Sequence, residues 1–167
     1  LSASTFNVGA GKTVSELQVF EIALRQRGLD KLILSAIVKA IPYKILFILT
    51  YQSESQAWLE VSGTFYGTEW LPSSELKLNF DGLNMDAVYE NLARQIAVGR
   101  LDNGDISQAV KRDKQRRKLE REIVALEKKL FKEKQFNRQV ELNSELKRLR
   151  AELDGLQHIN KEDSPNG

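Results

Sequence analysis

The sequence has no cysteine, which excludes disulfide bonds, zinc–cysteine sites, iron–sulfur clusters and cysteine nucleophiles. It has one histidine, His158, so histidine metal sites and Ser-His-Asp triads are almost excluded as well. No apolar run approaches the roughly 18 residues that a membrane span needs. Any catalytic chemistry in this chain would therefore rest on carboxylates. Since no membrane span is predicted, we expect a cytoplasmic protein with no membrane partner.

The N-terminus also lacks the basic segment and apolar segment of a signal peptide. The chain starts at Leu1 rather than at methionine, so we expect it to begin inside a longer protein. Its 167 residues suit one domain, or a small domain with an appendage. The apolar share of 41% is enough for a core, which argues against disorder throughout.

Charge, aromatic residues and glycine are distributed unevenly. Residues 1–105 carry 9 basic and 12 acidic side chains, whereas residues 106–157 carry 15 and 9. The first part also holds eleven of the thirteen aromatic residues. We therefore predict an α/β globular domain over residues 1–105, a helical arm over residues 106–157 and a disordered tail over residues 158–167.

The globular part has the pattern of a small mixed sheet with a βαβ unit and flanking helices. The run at 44–51 is almost entirely apolar, as expected for a strand buried on both faces. Apolar spacing of three and four predicts a helix over 29–40, closed by Pro42. The remaining predicted elements are a strand at 14–24, a strand at 57–65, a loop at 66–74, an edge strand at 75–80 and a helix capped by Asn84 that runs to about Val98.

The arm carries two leucine-rich heptad seams that do not share one helical phase. At 100° per residue, Leu142, the first residue of the second seam, lies about 140° around the helix axis from Leu119, the first residue of the first seam. The two seams mirror each other, which is what an antiparallel helical hairpin, or coiled-coil arm, requires. The mirror pairs are Leu119 with Leu153, Ile123 with Leu149, Leu126 with Leu146, and Leu130 with Leu142.

The hairpin turn should fall within residues 133–139, near Phe136, with Asn137 as the cap of the second helix. That turn contains neither glycine nor proline. The alternative interpretation is one long helix whose two apolar stripes pack on different partners, including a second copy of the chain.

The segment Gly9-Ala10-Gly11-Lys12-Thr13 matches the end of a phosphate-binding loop. The full motif requires a glycine where this chain has Phe6, and no apolar strand precedes it. We therefore interpret the segment as a turn before the first strand.

The candidate catalytic residues are Glu16, Gln18 and Glu21, in or near the first strand. A glutamate and a glutamine two apart on one strand face can bind a divalent cation in a nuclease-like site, with Lys44 and Asp81 as further candidates. The alternative is that these side chains face solvent. We expect no cofactor and no metal except under this nuclease hypothesis.

The segment from Lys111 to Arg121 carries seven basic side chains and two acidic ones. Such a run can contact nucleic-acid phosphates, although it has no aromatic residue on which bases could stack. The alternative is a solvated helix face, or one paired with glutamates of the partner helix. The candidate nucleic-acid-binding residues are Lys111, Arg112, Lys114, Arg116, Arg117, Lys118 and Arg121.

Three segments resemble an uncharacterised bacterial family, domain of unknown function 4391. They are residues 16–24, residues 40–49 and the arm segment EKQFNRQVELN at 133–143. The resemblance covers roughly residues 12–156 and lacks the N-terminal portion of the family. It implies a bacterial protein encoded beside helicase and DNA-methyltransferase genes, in restriction or phage-defence neighbourhoods.

From this resemblance and the arm we expect a non-catalytic accessory or adaptor subunit of a restriction or phage-defence assembly. The arm would dock a helicase or a methyltransferase through Phe136, Asn137 and Arg138, and its basic run would contact DNA or an acidic partner. Two alternatives remain open, namely the metal-dependent nuclease and a self-associating structural protein that forms homo-oligomers.

Overall fold

A computed structural model describes the backbone of residues 1–162 and the side chains of residues 1–156. The chain divides into two compact units, Leu1–Leu101 and a second unit from Asp102 onward. Its elements are α1 (Ala3–Phe6), β1 (Leu17–Ala23), α2 (Lys31–Ala40), β2 (Lys44–Tyr51), β3 (Glu54–Val61), β4 (Thr64–Gly67), β5 (Leu71–Pro72), α3 (Met85–Ala97), α4 (Ile106–Lys132) and α5 (Phe136–Glu162).

The globular unit is built on one mixed five-stranded sheet. The strands run in the order β1-β2-β3-β4, and β5 pairs with β3. β1 and β2 are parallel and are joined through α2, whereas β2, β3 and β4 are antiparallel neighbours. The predicted α/β class with a βαβ unit is therefore confirmed.

Each face of the sheet has its own apolar layer. On one face, Phe47 and Leu49 of β2 pack with Leu34 of α2. On the other face, the cross-strand pair Leu46 and Leu59 is almost completely buried, together with Leu17, Ala57 and Val61, whereas Val19 of β1 is 43% exposed. Because successive side chains of a strand point to opposite faces, an almost continuous apolar run such as β2 supplies both layers.

Helices α2 and α3 begin at side-chain caps. The Asp30 carboxylate accepts a hydrogen bond of 2.9 Å from the amide of Leu32, and the Asn84 side chain accepts one of 2.9 Å from the amide of Ala87. The predicted cap at Asn84 is thus confirmed. α3 buries one side, including Val88, and packs against β3 and β4.

Two predicted strands of the globular unit are wrong. Residues 57–65 do not form one strand, because a turn at Ser62-Gly63 with positive φ values of 48° and 76° separates β3 from β4. Residues 75–80 form no strand. The Gln95 side chain of α3 instead donates to the Asn79 carbonyl and accepts from the Asn79 amide, both at 2.8 Å, and so takes the place of a neighbouring strand.

The second unit contains two helices of 27 residues that pack against each other across a turn of three residues. Their shared core is the cluster of Leu119, Ile123, Leu146 and Leu149, flanked by Leu126, Leu130, Leu153 and Leu156. Seven of the eight residues of the two predicted seams meet in this cluster, and the eighth, Leu142, is half-buried. The hairpin is therefore confirmed and the single long helix is wrong. Helix α5 continues to Glu162, so residues 158–162 of the predicted tail have helical backbone, and residues 163–167 lie outside the described residues.

The turn needs no glycine because side chains satisfy its backbone. The Glu133 carboxylate accepts hydrogen bonds from the amides of Lys134 at 2.8 Å and Gln135 at 2.9 Å. The Gln139 side chain returns to donate to the Glu133 carbonyl at 2.7 Å. The predicted cap at Asn137 is wrong, since α5 begins one residue earlier at Phe136.

None of the helices within residues 1–162 combines the length and the apolar composition that a membrane-spanning helix requires.

Candidate functional site

The loop that resembles the end of a phosphate-binding motif wraps around a carboxylate of the protein itself. Asp86, in the first turn of α3, accepts hydrogen bonds from the amides of Lys12 at 2.6 Å and Val14 at 2.8 Å, and from the Thr13 hydroxyl at 2.7 Å. A side chain at Gly11 would lie 2.4 Å from the Val14 carbonyl oxygen, so the loop closes tightly. These amides therefore bind a carboxylate of the protein itself. This agrees with the interpretation of the segment as a turn.

The same contacts shift the titration of Asp86. The hydrogen bond from the Thr13 hydroxyl and those from the backbone amides favour the charged form and lower its pKa to about 2, against the opposing effect of partial burial. Asp86 also lies near the positive end of the α3 dipole, which favours a negative charge. The Asp86 carboxylate is thus a structural anion that ties the N-terminal loop to α3.

The three candidate catalytic residues of the first strand are not brought to one place. Gln18 donates a hydrogen bond of 2.7 Å to the Glu16 carboxylate, so these two lie together as predicted. Glu21, three residues after Gln18 in β1, points to the opposite face of the sheet. Asp81 contacts Asn79 and Asn91 in the segment around α3.

Lys44 lies close to Glu60 rather than to Asp81. Its Nζ atom is 3.8 Å from the Glu60 carboxylate and 5.2 Å from the centre of the Tyr89 ring. Glu16, Lys44 and Glu60 line part of a cavity of about 190 Å³. Burial, with the Glu60 charge in addition, raises the pKa of Tyr89 above its ordinary value. Within the described part of the chain, no group of three acidic or histidine side chains is placed to hold a metal ion.

The seven basic candidates of α4 separate into two groups. Three arginines are buried or half-buried and pair with the carboxylates of Asp102 and Asp113, whereas the other four side chains are exposed. Arg112 makes a two-pronged pair with Asp102, at 2.8 Å and 2.7 Å. Partial burial acts to raise the pKa of Asp102, but the Arg112 hydrogen bonds and the Gly104 amide outweigh it and lower that pKa.

The Asp113 carboxylate pairs with the other two arginines, Arg116 and Arg117. This carboxylate is completely buried, with Arg117 Nε at 2.7 Å and the Arg116 guanidinium at 3.6 Å. Arg116 is itself 8% exposed. A buried carboxylate needs such cations, because an unpaired buried charge is strongly destabilising. The second group of candidates, Lys111, Lys114, Lys118 and Arg121, is exposed.

The tip of the hairpin exposes two large apolar side chains. Phe136, at the start of α5, is 75% exposed, and Phe131, at the end of α4, is 91% exposed. The candidate partner-binding residues Asn137 and Arg138 are exposed beside them, and the Arg138 guanidinium lies 3.8 Å from Glu141.

Phe131 is a tip residue that the sequence reasoning missed. The available signal was that Phe131 and Phe136 are the two aromatic residues after residue 105, and that both border the turn. The tip as the structure describes it therefore consists of Phe131, Phe136, Asn137 and Arg138.

Comparison with known proteins supports one assignment. The family model described as domain of unknown function (DUF4391) matches residues 1–153 of the 167. A search of the curated proteins found no match, and a search of the solved structures found none either.

Proposed function

The chain belongs to the DUF4391 family, and we propose that it is a non-catalytic adaptor subunit of a bacterial restriction or phage-defence assembly. In this proposal the tip of the hairpin docks a helicase or methyltransferase subunit, and the arm contacts DNA. The observation that carries the proposal is the exposure of Phe131 and Phe136, at 91% and 75%, on either side of one turn.

Exposed phenylalanines at this position favour a docking role on energetic grounds. Burying one such side chain contributes about 1.5–3 kcal/mol relative to leaving it in water. Aromatic residues and arginine are also enriched in the buried centres of protein interfaces. Phe131, Phe136 and Arg138 place this combination within eight residues of the chain.

The turn also presents these residues on an ordered backbone. The three hydrogen bonds around Glu133 hold the link between α4 and α5 in one conformation. Association costs less when the binding segment is ordered beforehand, because less conformational freedom is lost on binding. The tip therefore suits a specific interface better than a flexible loop of the same composition would.

The test is to co-express the chain with the helicase and methyltransferase subunits that the family resemblance predicts beside its gene. The double variant Phe131→Ser/Phe136→Ser should weaken binding to one of them by about 100-fold, if each side chain contributes about 1.5 kcal/mol. Affinity would be measured by titration calorimetry on the purified subunits. Both side chains are exposed, so the circular dichroism of the variant should match that of wild type.

The matched control is Leu83→Ser, which removes an equally exposed apolar side chain, at 91%, from the globular unit. This control variant should bind like wild type. The proposal fails if neither neighbouring subunit binds the wild-type chain, or if the tip variant and the control bind with equal affinity.

A further inference from the structure

The exposed basic residues of α4 lie on one face of the helix. Lys111, Lys114, Lys118 and Arg121 are separated by three, four and three residues, and all are exposed. At 100° per residue these spacings place the four side chains within an arc of about 80°.

The same face continues to the end of the helix. Between Lys111 and Lys132, an arc of about 100° contains only lysine and arginine apart from Ala125. At 1.5 Å per residue, this surface is about 31 Å long. We name it the basic stripe; its members are Lys111, Lys114, Lys118, Arg121, Lys128, Lys129 and Lys132.

Repulsion between the like charges of the basic stripe destabilises the isolated helix. Like charges at positions i and i+4, such as Lys114 with Lys118 and Lys128 with Lys132, repel each other by a few tenths of a kcal/mol each. Glu122, just outside the arc, lies 3.9 Å from Lys118, and such an exposed pair contributes little. Near the end of the stripe, Lys129 and Lys132 line one cavity with Glu133, Glu141 and Glu145, so neighbouring carboxylates offset part of the positive charge there. A polyanion along the stripe would relieve this repulsion and release its own counterions.

We propose that the basic stripe binds the phosphate backbone of double-stranded DNA without reading its sequence. Six of the seven residues of the stripe are lysines, which fit phosphates as point charges, and Arg121 alone among them carries the planar group that forms paired hydrogen bonds with a base edge. The stripe therefore lies along the backbone and leaves the base edges unread.

The choice of the duplex follows from what the stripe contains. Proteins that bind single strands stack bases on aromatic side chains, and the stripe has none. The choice of DNA over RNA rests on the proposed function, because a restriction or defence assembly acts on DNA. The three arginines engaged by Asp102 and Asp113 take no part in the binding.

The test is fluorescence anisotropy of the full chain with a labelled 30-base-pair duplex of random sequence, from 50 to 300 mM NaCl. Seven phosphate contacts give a slope of log affinity against log salt of about −6. The variant Lys111→Gln/Lys114→Gln/Lys118→Gln/Arg121→Gln leaves three contacts, so its slope should fall to about −3. A single strand of equal length should bind more weakly than the duplex.

The matched control removes the same four positive charges from the turn and α5. It is Lys134→Gln/Arg138→Gln/Lys147→Gln/Arg148→Gln, all at exposed positions, and it should keep the wild-type slope. Equal losses in the two variants would show an effect of net charge and overturn the inference. So would a wild-type chain that does not bind the duplex at 50 mM NaCl, or a stripe variant that binds DNA normally but no longer binds a protein partner.

The docking role of the tip and the DNA binding of the basic stripe can be disproved independently. The tip variant Phe131→Ser/Phe136→Ser keeps the whole basic stripe and should bind the duplex like wild type. If the duplex does not bind but the tip still docks a neighbouring subunit, only the inference about the stripe is lost. If the duplex binds and no neighbouring subunit docks, only the docking role is lost.

Discussion

The globular unit and the helical hairpin bury their apolar side chains in different ways. The sheet buries side chains on both faces, and Phe47, Leu59 and Leu92 are completely inaccessible to solvent. The apolar cluster between α4 and α5 is one seam, in which Leu119 and Ile123 remain 7% and 8% exposed, and α4 has further buried residues before it, such as Val110 and Asp113. A pair of helices can bury only their facing sides, so most of the hairpin surface stays open for charged residues and for partners.

The largest expected effect is on the globular side of this comparison. Phe47→Ala removes a completely buried ring that packs edge-on against Phe20, with centroids 6.1 Å apart. We expect a loss of about 3–5 kcal/mol in the free energy of unfolding. Urea denaturation followed by tryptophan fluorescence measures it, because Trp58 and Trp70 both lie in this unit. A loss below about 1 kcal/mol would contradict the description of this core.

A smaller effect is expected in the seam of the hairpin. Leu146→Ala should cost about 2–3 kcal/mol, near the lower end for a buried leucine, because a seam beside solvent can relax around the cavity. Thermal melting followed by circular dichroism at 222 nm suits this variant, since α4 and α5 contribute 27 helical residues each. Val140→Ala, at a side chain 52% exposed on the same helix, should change stability by less than about 0.5 kcal/mol. Equal losses of stability in the two variants would show that Leu146 does not pack in a buried seam.

The smallest effect concerns the charge that ties the N-terminal loop to α3. Asp86→Asn should cost about 1 kcal/mol at pH 7, because the hydrogen bonds to the carboxylate are charge-assisted but exposed to solvent. The folded pKa of Asp86 is about 2, below the ordinary value of 3.8. Its contribution is therefore complete above about pH 5 and is lost as the pH falls towards 2.

The pH dependence is measured as the difference in unfolding free energy between wild type and Asp86→Asn, at intervals from pH 7 to pH 2. Taking the difference removes the titration of all other acidic groups. A difference that persists undiminished at pH 2 would show that the Asp86 charge is not the source of the stabilisation.

Much of the fold could be predicted because it follows from local patterns. The apolar run of β2, the spacing in α2, the cap at Asn84 and the mirrored seams each reflect periodicity or capping within a few turns of chain. The prediction of the edge strand at 75–80 was wrong because its alternation of apolar and polar residues is also compatible with an extended segment. There the Asn79 backbone amide donates a hydrogen bond to the side chain of Gln95, sixteen residues later in the chain.

The candidate sites were less predictable than the fold. The basic run at Lys111–Arg121 was evident in the sequence, but its division into three buried or half-buried arginines and four exposed side chains was not. That division depends on the burial of Asp113 and on the position of Asp102, ten residues before Arg112. By contrast, the strand period that places Glu21 on the opposite face from Gln18 was already available from the predicted strand at 14–24, which contains both residues.

The sequence by itself determined the two-part character of this protein, namely an α/β unit with a net charge of −3 over residues 1–105 and a hairpin arm with +6 over residues 106–157. Periodicity and composition suffice for that, because each helix and strand must bury its own apolar face. The tertiary structure alone decided which charges face solvent and which carboxylate fills the Gly-Lys-Thr loop. Those outcomes depend on contacts between residues far apart in the chain, which local propensity does not encode.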